Sequence, residues 1–350
     1  MPQFHSLKVK NTTQNTPSSV TVSFDIPQEL KNEFVFQAGQ YITLKKTLNG
    51  SELRRAYSIC STSGSGELQI GIKKVTDGRF SSYANDELKE GDTLEVHSPE
   101  GAFTLKPNPS ASRNIAAFAA GSGITPVMSI MKTLLEEEPN SNFVLVYGNK
   151  SVSETMFHNE IVALTEQYPD RLNVYFVYSQ EQKENSLFGR IERSTVNYIT
   201  KNKHKDQAFD TFYLCGPEEM IQTVSENLKE NGIDEDRIKF ELFTSSADEP
   251  APAVSTEGAT SIKVIVDDEE ISFEMKKSDR ILDAVLAEKI DAPYSCQGGI
   301  CSSCIARVTE GKAEMVKNQI LTDGEVAEGL ILTCQSHAVT DSITIDYDDV

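Results

Sequence analysis

Four of the six cysteines fall in the last 55 residues, with the spacing Cys296-x4-Cys301-x2-Cys304 and Cys334 thirty positions further on. Three such side chains in one short loop, and a fourth from a distant segment, demand a compact domain folded around a single point. In a reducing compartment, clustered thiols hold metal more often than they form disulfides. Plant-type 2Fe–2S centres use this C-x4-C-x2-C…C spacing. Structural zinc sites usually show two CxxC knuckles, whereas only Cys301 and Cys304 are so paired here, so iron–sulfur stands ahead of zinc. Gly298 and Gly299 let the loop turn sharply and bring backbone N–H groups toward the sulfurs. A centre of this kind carries one electron at a time at about −400 mV. A donor is therefore expected in the rest of the chain.

The 350 residues exceed one ordinary core and indicate several domains. Residues 1–106 read as an antiparallel β-barrel. The runs VTVSFDI, YITLKK, LQIGIKKV and TLEVHSP are short, β-branched and separated by turns. Residues 107–243 alternate buried apolar strands (NIAAFAA, FVLVYGN, LNVYFVY, DTFYLCG) with helical stretches such as PVMSIMKTLLEEE and SETMFHNEIVALTEQY, the pattern of a doubly wound α/β domain. Residues 244–261 lack apolar periodicity and read as a linker. Residues 262–350 form the third domain, with 8 Lys+Arg against 18 Asp+Glu. That segment carries half of the chain's net charge of -20. The charge argues against nucleic acid and is compatible either with steering a basic protein partner or simply with solubility. No apolar run is long enough to span a membrane and the start lacks a signal-peptide core, so a cytoplasmic protein is expected.

Two short motifs bear on the donor. Arg55-Ala56-Tyr57-Ser58 closes an expected strand. An Arg there can pair with a pyrophosphate, a Tyr can lie against a flavin ring and a Ser can hydrogen-bond near flavin N5. Ordinary surface packing would also account for these residues. Gly78-Arg79-Phe80-Ser81-Ser82 follows IGIKKV and opens a helix, either as an anion site or as an ordinary cap. Gly121-Ser122-Gly123-Ile124-Thr125-Pro126 follows NIAAFAA and suits a phosphate turn, although the third glycine of the usual dinucleotide fingerprint is missing and no acidic residue ends the next strand. Cys215-Gly216-Pro217 ends another buried strand, where a small buried hydrophobe would do as well. Glu241-Leu242-Phe243 closes the second domain, with core packing as the alternative reading. Cys60 fits no ligand set and reads as a packed thiol.

In this order the motifs resemble the ferredoxin–NADP reductase superfamily, and YSCQGGICSSC resembles plant-type ferredoxins over the whole tail. Together they look like the reductase component of a multicomponent oxygenase, of the phenylacetyl-CoA epoxidase kind. The resemblance implies three folds: a flavin barrel, a doubly wound nicotinamide domain and a β-grasp ferredoxin-like domain. It implies FAD, rather than FMN, held by Arg55, Ala56, Tyr57, Ser58, Ile72, Lys73, Lys74, Gly78, Phe80, Ser81 and Ser82. The nicotinamide nucleotide would lie on Gly121, Gly123, Thr125, Pro126, Lys150, Cys215, Gly216 and Pro217, with Phe243 near the flavin. Ser58, Cys215 and Thr125 would sit at the reacting centre, and Cys296, Cys301, Cys304 and Cys334 would bind the 2Fe–2S cluster. Lys150 favours NADPH, while Gln180 stands where NADPH-using members often carry Arg, so NADH stays open. The implied partner is a terminal oxygenase. A haem-thiolate monooxygenase, a desaturase or a separate ferredoxin would need the same route, and a redox-sensing module would show slow turnover. A monomer is the default expectation.

Overall fold

The computed structural model describes residues 4–243, 258–318 and 320–350, and these form two compact units, one of them His5–Phe243. The first unit opens with β1 (Phe4–Thr16), β2 (Ser19–Asp25), β3 (Tyr41–Leu48), β4 (Ser51–Ser58), β5 (Leu68–Lys73), helix α1 (Arg79–Asp86) and β6 (Thr93–His97). The strands form one sheet in the order β4-β3-β6-β1-β2-β5. The sheet curls until its edges meet, through an antiparallel bridge between Ile59 and Ile70. Inward residues alternate along each strand, and Val20, Val22, Phe24, Ile42, Leu44, Ile70 and Ile72 fill the interior.

The same unit continues with β7 (Asn114–Ala120), α2 (Ile124–Glu137), β8 (Asn142–Asn149), α3 (His158–Gln167), β9 (Leu172–Tyr178), β10 (Leu187–Phe188), α4 (Arg193–Asn197), β11 (Thr211–Gly216), α5 (Glu218–Glu230) and β12 (Ile238–Leu242). The strands lie in the order β10-β9-β8-β7-β11-β12 and pair in parallel. Chain order reverses between β7 and β11, so the carboxyl ends of those two strands open the crevice where such sheets receive ligands. The helix expected across SETMFHNEIVALTEQY is not continuous. Val152–Glu154 make a single 3-10 turn, Phe157 adopts a left-handed φ of 57°, and α3 starts only at His158. The break at Phe157 turns both Met156 and Phe157 into the core.

The C-terminal unit contains β13 (Ala259–Val266), β14 (Glu269–Lys276), α6 (Ile281–Ala287), β15 (Ile305–Glu310), β16 (Ala313–Met315), α7 (Asp323–Ala327), β17 (Leu330–Leu332), β18 (Ser336–Ala338) and β19 (Ser342–Asp346). Its mixed sheet runs β14-β13-β19-β15-β17, with β13 and β19 parallel. Asp267 and Asp268, at φ 54° and 62°, make the tight hairpin turn between β13 and β14. Helix α6 buries Ile281, Leu282, Ala284 and Val285 in the core, completing a β-grasp arrangement. The linker expected over 244–261 lies outside the described residues as far as 257. From Ala259 onward the chain is already strand β13, because Thr260 and Ile262 alternate inward and pair with β14.

Candidate functional site

In the C-terminal unit the cysteine loop follows α6. Gln297 and Gly299 take left-handed φ values of 53° and 72°, and these two turns draw the loop closed. A Cβ on Gly299 would lie 2.8 Å from Gln335 Cγ, so glycine is required there by close packing as well as by φ. Gly298 plays a different part: its backbone N–H donates to Cys296 Sγ at 3.3 Å. Cys301, Cys304 and Cys334 are buried, Cys296 is partly exposed, and none forms a disulfide. The four thiols are close neighbours, Cys296 beside Cys301 and Cys334, and Cys304 beside Cys334. Their mutual proximity pulls the Cys296 and Cys304 thiols below the usual range and pushes Cys301 and Cys334 up. Among the described residues no group of three or more His, Cys, Asp or Glu is placed to hold a single ion. Four neighbouring soft sulfur donors, with a backbone donor on Cys296 and the amide of Gln335 3.8 Å from Cys334 Sγ, fit a two-iron cluster.

The barrel motif lies on β4. Pairing with β3 sets Tyr57 opposite Ile42 and Ser58 opposite Tyr41. Arg55 is exposed, with one guanidinium nitrogen donating to the carbonyl of Arg54. Tyr57 is half-buried, and its ring stands 5.7 Å from that of Phe80. Burial pushes its phenol well above the usual range, so it remains a neutral hydroxyl. Ile72 and Phe80 point into the barrel core rather than outward. Lys73 ends β5 half-buried beside Glu154, at 3.7 Å, while Lys74 pairs with Asp86 at 2.5 Å. Gly78 caps α1, but the Ser81 hydroxyl is already engaged within the turn, accepting from the Val75 N–H and donating to the Gly78 carbonyl. Ser82 stays partly exposed. No side chain caps α1, so its first N–H groups are open to an anion, which fits a flavin phosphate.

At the sheet crevice the two glycines of GSGITP separate in role. Gly121 takes a φ of 56° and has open space above it. A Cβ on Gly123 would stand 2.1 Å from the Cys215 carbonyl oxygen, so this glycine lets the turn lie against β11. Gly123→Ala should therefore destabilise the protein by about 1–3 kcal/mol, the usual cost of overpacking, and weaken nucleotide binding. Thermal unfolding and coenzyme titration check it. Pro126 is buried in the first turn of α2, whose N-terminus has no side-chain cap. Thr125 is also buried. Its hydroxyl donates to the Ser122 carbonyl at 3.0 Å, and its methyl lies over Gly71 of the barrel, where a Cβ would come within 2.6 Å. Its part is therefore to seat the two folds together, with no hydroxyl proton to spare. Lys150 is exposed just past β8, Pro217 is exposed before α5, and Phe243 packs on the nucleotide-domain core.

The three segments meet at one point. Ser58 Oγ donates to Glu241 Oε2 at 3.4 Å, and Glu241 is in register with Cys215 on the neighbouring strand. Burial raises the Glu241 carboxyl to about 8, with the Ser58 hydrogen bond opposing the shift. Burial, and then the nearby Glu241, push the Cys215 thiol well up. The centre is thus polar but uncharged at neutral pH, with a thiol that is no thiolate nucleophile. Cys60 is buried in the core, with its thiol donating to the Gln69 carbonyl at 3.4 Å. Thr333, Gln335 and Tyr347, which surround the cysteine loop, had no signal in the sequence because their contacts arise only in the folded sheet.

A barrel with an uncapped anion site, a parallel sheet with a nucleotide crevice and a four-thiol loop together define a flavin and iron–sulfur oxidoreductase dependent on NAD(P)H. The oxidoreductase FAD-binding domain matches residues 6–105, the oxidoreductase NAD-binding domain 118–226 and the 2Fe-2S iron-sulfur cluster binding domain 264–339. The chain is 35% identical to a component of the 1,2-phenylacetyl-CoA epoxidase of Escherichia coli (strain K12), over 99% of both chains. It is 33% identical to the ferredoxin reductase component of a 3-ketosteroid-9-alpha-monooxygenase of Rhodococcus rhodochrous, over 97% of this chain and 96% of that one. Phthalate dioxygenase reductase has the same fold over 98% of both chains, with a TM-score of 0.62 at 23% identity. The chain belongs to the ferredoxin–NADP reductase family, in the branch whose members carry a C-terminal 2Fe–2S domain and serve as reductase components. Among the described residues no helix is long and apolar enough to cross a membrane.

Proposed function

We propose that the chain is the reductase component of a multicomponent oxygenase of the phenylacetyl-CoA epoxidase kind, drawing electrons from NADPH. The observation that carries this is the end-to-end correspondence with the Escherichia coli epoxidase component, 35% identity over 99% of both chains. When bound, the flavin would convert the two-electron chemistry of nicotinamide into the single-electron chemistry of the cluster. Arg55 would pair with the flavin pyrophosphate, Tyr57 would support the ring system, and Ser82 with the open N-terminus of α1 would hold a phosphate. Gly121 and the N-terminus of α2 would take the nucleotide pyrophosphate. Ser58, Cys215 and Glu241 would line the reacting centre, Ser58 held by its hydrogen bond to Glu241 while the neutral thiol excludes water. The four cysteines Cys296, Cys301, Cys304 and Cys334 would ligate the cluster. The six free thiols suit the cytoplasm, and a chain that carries the flavin, nucleotide and cluster domains can work as a monomer.

Lys150 supports NADPH because an exposed ammonium past β8 can meet a 2′-phosphate, and no carboxylate ends that strand to take a ribose hydroxyl. Lys150→Ala should raise the KM for NADPH by about 10- to 100-fold, the worth of one charge-assisted hydrogen bond, and leave that for NADH nearly unchanged. Stopped-flow bleaching with each coenzyme checks it, and equal effects on both would assign Lys150 elsewhere. The acceptor is tested by reconstitution. The chain should support turnover by the purified oxygenase components of a phenylacetyl-CoA epoxidase and fail with a ketosteroid monooxygenase or a cytochrome P450. The reverse preference would overturn the assignment of partner.

A further inference from the structure

The phosphate turn of the nucleotide crevice leans on a hydroxyl from the neighbouring strand. Tyr147 is wholly buried on β8, in register with Ala119 of β7 and Phe176 of β9. Its ring packs in the core of the nucleotide fold, 6.4 Å from that of Phe176. A phenylalanine would fill that place without burying a hydroxyl, which is costly unless it finds a partner. The partner is the Gly121 carbonyl, to which the phenol donates at 2.9 Å. That carbonyl already accepts the Ile124 backbone N–H within its own turn, so it is satisfied without the tyrosine. What the phenol adds is direction. Gly121 sits at a φ of 56° with open space above it, and a glycine there lets the peptide that follows rotate at little cost. The next carbonyl, that of Ser122, is held in the same manner by the Thr125 hydroxyl at 3.0 Å.

We propose that Tyr147 is a positioning residue for the pyrophosphate of the coenzyme, acting through the Gly121–Ser122 peptide. A planar trans peptide points its N–H opposite to its C=O. With the Gly121 carbonyl drawn inward to the phenol, the Ser122 N–H is turned the other way, toward the open side of the turn. It belongs to the first turn after β7, where N–H groups have no acceptor within the helix, and it is left for an anion. Presenting that donor in advance spares the coenzyme the cost of ordering the turn. The reach of Tyr147 is limited: it bears on the phosphates that NADPH and NADH share, and not on the 2′-phosphate or the nicotinamide. Wholly buried, it would itself touch no coenzyme atom.

The inference rests on the reading of the GSGITP turn as the pyrophosphate site, and the experiment separates the two. In the holoprotein, competitive inhibition of flavin reduction by adenosine diphosphate, which carries the pyrophosphate, is compared with that by adenosine, which does not. Gly121→Asp tests the site. Aspartate tolerates a left-handed φ, and its charge in the open space above the turn should abolish inhibition by the diphosphate. Unchanged inhibition in that variant would sink the site, and the inference with it. Tyr147→Phe tests the hydroxyl. It should raise the inhibition constant of the diphosphate, and the KM of NADPH and NADH, by a common factor of about 3- to 10-fold, the worth of one hydrogen bond, and leave adenosine inhibition and kcat as they were. Unaltered diphosphate inhibition, equal weakening of diphosphate and adenosine, or a fall in kcat with KM unmoved would overturn the proposal. If Tyr147→Phe fails to fold, the unsubstituted protein decides. With isotope-labelled serine, its Ser122 amide proton should move downfield on adding the diphosphate and stay in place with adenosine. A Ser122 amide indifferent to the diphosphate would sink the proposal.

Discussion

Cys301→Ser should reduce cytochrome c at background rate while ferricyanide, which a flavin can serve directly, is still reduced at close to the normal rate. Cys301 lies buried in the middle of the loop beside Cys296, so replacing its sulfur removes one quarter of the proposed donor set. Loss of an outer partner of a metal ligand typically costs roughly 10- to 100-fold, and loss of a ligand itself costs more. The flavin barrel and nucleotide sheet form a separate compact unit, His5–Phe243, with their own cores, so their chemistry should survive the change. Parallel assays with the two acceptors, with iron content alongside, measure the outcome. Equal loss of both activities would contradict the proposed order of electron carriers.

The second large effect concerns pH. Glu241 carries a carboxyl raised to about 8 by burial, so it is neutral at pH 7 and still donates or accepts hydrogen bonds with Ser58. Above about pH 8 it ionises beside Ser58 and Cys215, and a fixed negative charge then stands where nicotinamide reduction of the flavin would build more. The rate at which coenzyme bleaches the flavin should therefore fall above about pH 8 by about tenfold per unit, as the protonated fraction falls. Glu241→Gln should hold the neutral-pH rate and lose this alkaline limb. The sign for stability is the same. A carboxyl whose folded value lies above its unfolded value contributes stability that is complete below about pH 4.5 and lost as pH rises through about 8. Thermal unfolding across pH 6 to 9 should show a decline in the unsubstituted protein and a flatter profile in Glu241→Gln. A rate profile unchanged by the substitution would remove Glu241 from the reacting centre.

What could be read in advance follows from how local each feature is. The cysteine spacing, the short β-branched runs and the apolar strands before GSG and CGP are properties of contiguous segments, and strand period and glycine placement follow from backbone geometry alone. The break at Phe157 was not legible, since a left-handed aromatic there is worth its strain only once Met156 and Phe157 have a core to enter. The two glycines of one motif looked equivalent until β11 stood beside Gly123 and open space lay above Gly121.

The amino-acid sequence by itself pointed to the three-domain order, to four thiols as the proposed donor set and to the turns proposed for the flavin and the nucleotide, because each rests on residue type and spacing within a few residues. Tertiary structure alone decided which hydroxyls are free. It committed Ser81 and Thr125 to their own turns and joined Ser58 to Glu241 across the seam of the first unit. In the second unit it ran Tyr347 through Thr333 to Cys304. Hydrogen bonds and desolvation depend on what lies within about 3 Å in space, and that neighbourhood exists only after distant strands have paired.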